Sequence, residues 1–179
     1  MKTMKQLFKV TLALTAVTIS IFMLSSFKKK AAPSAATAYS INLVSNPVEA
    51  SNQQQWTWVL TNTNPGNGSN GTLQDVSHFD ISLSQVAEAA LLSTEYSFDG
   101  INWISGSIIV DRDPAIRACT NNDVLKFDAG TVGSQPTYYR ATFSQTFSVS
   151  PYSTSWIKSG VKTGCNMYYF AGIGGTKLD

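Results

Sequence analysis

QWTWVLTNTNPGNGSNGTLQDVSHFDISL, residues 55–83, carries the pattern that decides the fold class. Trp56–Thr61 and Val76–Leu83 alternate apolar and polar residues, the period of a half-buried β-strand. Between them lies a run of Asn, Gly, Thr, Pro and Ser, residue types that accept tight turns or positive φ. Two strands joined by a long hairpin-like connection are therefore expected. Trp56, Trp58 and Leu60 share one face of the first strand. Phe79, Ile81 and Leu83 share one face of the second, with His78, Asp80 and Ser82 on the other.

Working outward, similar runs recur along the chain. Strands are expected at Tyr39–Ser45, Ser107–Val110, Val124–Asp128, Thr137–Val149 (ended by Pro151), Ser155–Lys158 and Asn166–Phe170. Glu95–Trp103 reads as a hairpin, with Asp99-Gly100 as a two-residue turn. Gln85–Ser93 is the one stretch rich in helix formers and reads as two helical turns. About nine short strands with turn chemistry between them argue an all-β fold, a single β-sandwich domain, Ig-like or jelly-roll-like, with a closed barrel as the alternative. No internal repeat and no linker to a second domain stands out.

The first 38 residues differ from the rest. Lys2, Lys5 and Lys9 precede an uncharged run, Val10–Phe27, and Lys28, Lys29 and Lys30 follow it. Ala36-Thr37-Ala38 then offers small residues at a signal-peptidase site. This is the layout of a secretory signal peptide over residues 1–38. The competing reading is a retained membrane anchor, because 18 apolar and hydroxyl residues fall just short of a span. Either way the domain, 39–179, leaves the cytoplasm, and a secreted, periplasmic or cell-surface location is expected.

Six of the 13 basic residues lie at or before Lys30, and all 11 acidic ones follow it. The domain thus holds seven basic groups against 11 acidic ones, a net charge of −4. A mildly acidic domain lacks the electrostatic footprint for nucleic acid or anionic lipid, so membrane contact is expected only if the leader is retained. The two cysteines, Cys119 and Cys165, read as one disulfide in an exported protein.

The W-x-W strand, the Asn/Gly loop, the S-H-F tripeptide at 77–79 and YSFDGINW at 96–103 together resemble a pattern of largely uncharacterised secreted bacterial β-sandwich surface domains. The resemblance spans residues 55–103. It implies an exported, non-enzymatic, surface-associated protein and transfers no functional residue.

Three groups of residues are candidates for chemistry. His78 and Asp80 share a strand face and could pair. A hydrolytic triad would need Ser77 or Ser82 in reach and an oxyanion pocket, and no nucleophile-elbow motif is present, so no enzyme is expected. Asp111, Asp113 and Asp123, with Asn121 and Asn122, place oxygen ligands at both ends of one loop. Calcium is the one cofactor such a loop suggests, against a solvated turn-rich loop. Trp103, Trp156 and Tyr152 lie among turn-forming or hydroxyl residues, where an exposed ring could stack on a sugar. Trp56 and Trp58 read as core. Two functions remain open: a binding or adhesion module for surface glycan or a protein partner, and a structural component of the envelope or matrix.

Overall fold

A computed structural model describes residues 39–45, 47–63, 75–130, 132–159 and 167–174. Residues 1–38, where a leader is expected, most of the Asn/Gly loop and Cys165 lie outside the described residues. The domain is a β-sandwich of two antiparallel sheets. Its strands are β1 (Tyr39–Leu43), β2 (Val48–Ala50), β3 (Gln53–Asn62), β4 (Val76–Ser82), β5 (Leu91–Ser97), β6 (Ile104–Ser105), β7 (Val110–Asp111), β8 (Val124–Phe127), β9 (Thr137–Phe143), β10 (Val149–Ser159) and β11 (Met167–Ile173). One sheet runs β1-β3-β9-β5-β6, with β2 also paired to β3. The other runs β11-β10-β4-β8-β7.

The two flanking runs of the long connection belong to different sheets: β3 is central in the first and β4 in the second. The connection is therefore a crossing between layers and not a hairpin. The alternation nevertheless places the core correctly. Trp56, Trp58 and Leu60 from β3 meet Phe79 and Ile81 from β4, with Tyr139, Ala141 and Phe143 from β9 and Phe170 from β11. Trp58 Nε1 donates to the Ala171 carbonyl at 3.1 Å, a hydrogen bond from one sheet to the other. Gln54 binds the chain at Phe147 twice: its Oε1 accepts from the Phe147 N–H at 2.7 Å and its Nε2 donates to the Phe147 carbonyl at 3.1 Å.

Four local expectations change. The helix forms as α1 (Gln85–Ala90), capped by Ser84 Oγ on the Ala87 N–H, and β5 starts directly after it. The Asp99-Gly100 hairpin is wider than a two-residue turn, since Tyr96 pairs with Ile104 and residues 98–103 form the loop. Asp99 organises that loop by accepting from Ile101 and Asn102 N–H, while Gly100 takes φ +74°. Pro151 does not end a strand. It sits inside β10 at the register shift between Ser150 and Ser153, where the bulge spares it a ladder N–H. Ser107–Val110 shrinks to the two-residue β7.

Candidate functional site

Residues 112–123 connect β7 to β8, and the chain there forms a strap over the outer face of the second sheet. The register shows what lies beneath. Asp80 stands opposite Trp156 on β10 and opposite Lys126 on β8, so all three point to the same side, away from the core. Alternation alone would leave that side in water. Instead Ile116 of the strap packs on Val124 and Trp156 in a second apolar cluster, with Cys119 against it. β4 is consequently buried on both faces: His78 and Asp80 are 8% and 0% exposed.

The strap also delivers Asp113. Its Oδ1 accepts the Ala115 N–H at 2.8 Å, which fixes the carboxylate and turns Oδ2 toward β4. That Oδ2 lies 2.7 Å from His78 Nε2, and Asp80 Oδ2 lies 3.6 Å from the same nitrogen. One ligand atom from each of the three residues falls within 4.8 Å of the others. Lys126 closes one side, with Nζ at 3.9 Å from Asp113 Oδ2 and 2.9 Å from Asp128 Oδ1.

Burial dominates the electrostatics. It holds the His78 imidazole below its ordinary range, against the opposing pull of the Asp113 carboxylate. Burial, then the neighbouring Asp113 carboxylate, pushes Asp80 up to about 8. For Lys126 burial works in the other direction, yet the bond to Asp128 and the charge of Asp113 hold the ammonium above its usual value. His78 Nε2, both Asp80 oxygens and Asp113 Oδ2 are buried without a hydrogen-bond partner.

The expected site residues are dispersed. Of the loop aspartates, only Asp113 enters the cluster. Asp111 and Asp123 are exposed, and Asp123 lies 3.9 Å from Arg112 across a polar recess. A three-aspartate calcium set is thus not assembled, because the strap turns Asp113 inward and the other two outward. Trp156 is 1% exposed under Ile116 and offers no face to a ligand, which corrects its place among the stacking candidates. Trp103 is half-buried, and the Arg140 guanidinium covers one face of its ring at 3.4 Å from the centroid. Tyr152 is 65% exposed. Ser77 donates its hydroxyl to the Lys158 carbonyl at 3.0 Å, so it does not serve His78 as a nucleophile.

Two features escaped the residue pattern. Asp113 joining His78 and Asp80 depends on a loop folding back over a sheet. Tyr169 and Met167 of β11 are exposed, and their alternation with buried Tyr168 and Phe170 is the signal that the expected closing strand carries. Comparison with protein-family models, with curated proteins and with solved structures returned no match.

Proposed function

We infer that this is an exported, non-enzymatic binding or adhesion module, and that it takes surface glycan on the outer side of the β10–β11 pair. The observation that carries this reading is a strip of exposed side chains at one edge of the sandwich: Tyr152 on β10, with Tyr169 and Met167 on β11. Tyr169 stands opposite Thr154 and faces outward. Tyr152 lies in the bulge between Ser150 and Ser153 of the same strand pair and is 65% exposed. The strap packs on Trp156 through Ile116, while Tyr152, Tyr169 and Met167 remain exposed. Exposed tyrosine rings supply apolar faces with polar tips, the combination that stacks on a sugar while hydroxyls fix it. The net charge of −4 in the domain favours a neutral ligand over an anionic one.

A glycan-array screen followed by titration tests this. Tyr152→Ala and Tyr169→Ala should each weaken binding by about tenfold or more, as truncation of a contact ring does. Both side chains are exposed, so melting temperatures should barely move. An array without a hit, or a double variant that binds as well as the parent, would reject the glycan. Binding to a surface protein through the same tyrosines would retain the module and change its ligand. Loss of both leaves the structural envelope component ahead.

A further inference from the structure

The sandwich explains the burial of β4 on one face only. Phe79 and Ile81 remove apolar area from water, whereas His78 and Asp80, on the other face, bury polar atoms that gain nothing from burial by itself. Asp80 is the sharpest case. Its side chain is fully buried and neither carboxylate oxygen accepts a hydrogen bond. Asp113 Oδ2 and His78 Nε2 face each other at 2.7 Å without hydrogen-bond alignment, and neither has a hydrogen-bond partner elsewhere. Native interiors pair such groups, and a set of them converging on one point needs something to converge on.

We propose that His78, Asp80 and Asp113 form a site for one divalent first-row transition ion of the zinc class, bound through His78 Nε2 and one oxygen from each carboxylate. The donor set decides the class. Two carboxylates bring the two negative charges that a divalent ion neutralises, and an imidazole nitrogen suits zinc, whereas calcium requires six to eight oxygens. Three protein ligands leave a further position for water. The support around them is built: the Ala115 N–H holds Asp113 Oδ1 and leaves Oδ2 for the ion. Two cations stand beside the site, Lys126 on β8 and Lys158, which lies opposite His78 on β10. The 2.9 Å bond of Lys126 to Asp128 gives the nearer ammonium its own counter-charge, so the ion need not displace it. Trp156 Nε1, opposite Asp80 and buried without a partner, is a donor placed for a carboxylate oxygen that the ion leaves free. This inference does not depend on the tyrosine strip.

The test is calorimetric titration of the tag-free full chain with Zn2+ after treatment with a chelator, with thermal melting in parallel. One ion per chain and a raised melting temperature are expected. Asp80→Asn and Asp113→Asn, which preserve shape, should each lower affinity by on the order of 100-fold or more. Asp111→Asn and Asp123→Asn should leave it unchanged. Co2+ loaded into the unmutated protein gives a second readout, a nitrogen–oxygen ligand spectrum without a thiolate band, that needs no variant to fold. Absence of one-to-one binding, full affinity in Asp80→Asn and Asp113→Asn, displacement of Zn2+ by equimolar Ca2+, or a thiolate band that Cys119→Ser removes would each overturn the site.

Discussion

Asp99 gathers four donors on one exposed carboxylate: the Ser97 hydroxyl, the Ile101 and Asn102 N–H groups and the Asn102 side-chain amide. The Asn102 N–H, then that of Ile101, holds the carboxyl well below its ordinary range. A depressed carboxylate contributes stability that is present above its unfolded value, near pH 4, and lost as pH falls toward the folded value. Asp99→Asn, which forfeits the charge but keeps one acceptor, should therefore lower the melting temperature at neutral pH and flatten its fall between pH 4 and pH 2. A parallel pH series on both proteins reads the difference; identical slopes would mean that this turn contributes nothing. Trp58 is the opposite kind of residue, fully buried and bonded across the sandwich. Trp58→Ala should cost roughly 3–5 kcal/mol in urea unfolding through lost burial and the cavity left behind. Trp58→Phe should recover most of it and leave the Ala171 carbonyl without its donor.

The elements show where the sequence was legible. β3, β9 and β4 alternate because a sandwich strand has one dry face, and the inward tryptophans, tyrosine and phenylalanines stood out for that reason. α1 is visible because Gln, Ala, Glu and Leu come together as helix formers in residues 85–92, as they do nowhere else in 39–179. The outer face of β4 was not. His78 and Asp80 could be paired by their spacing of two, but their burial is conferred by a loop more than thirty residues on. Asp113 drew attention as a calcium ligand through its neighbours in sequence, while its partners in space are on another strand. Pro151 misled for a comparable reason, since its missing N–H breaks a strand unless a bulge absorbs it. Ile116 anchors the strap on Val124 and Trp156. Ile116→Ala should destabilise the domain by about 2–4 kcal/mol and raise the accessibility of Trp156 to an aqueous fluorescence quencher. Quenching equal to that of the parent would place the anchor elsewhere in the strap.

For the whole molecule the expectation is an exported domain closed by a Cys119–Cys165 crosslink, and Cys119 is not a free thiol. Closing a chain segment of that length stabilises a fold by about 4 kcal/mol in the chain-entropy treatment. Non-reducing peptide mapping of exported protein should show both a mature terminus near Tyr39 and the joined cysteine peptides. An intact Met1 would favour an anchor, and two free thiols in folded material would remove the crosslink. The strap such a bond would tether has its two ends clipped together, because Asp111 pairs with Val124. It can lift while every strand keeps its neighbours, so its opening is a local event below the free energy of global unfolding. That makes time the variable it controls. An ion held at the proposed site would leave at the rate at which residues 112–123 lift, and a tether through Cys119 would slow that lifting without touching a ligand atom. Reduction would then shorten the residence of a bound ion far more than it weakens the equilibrium grip.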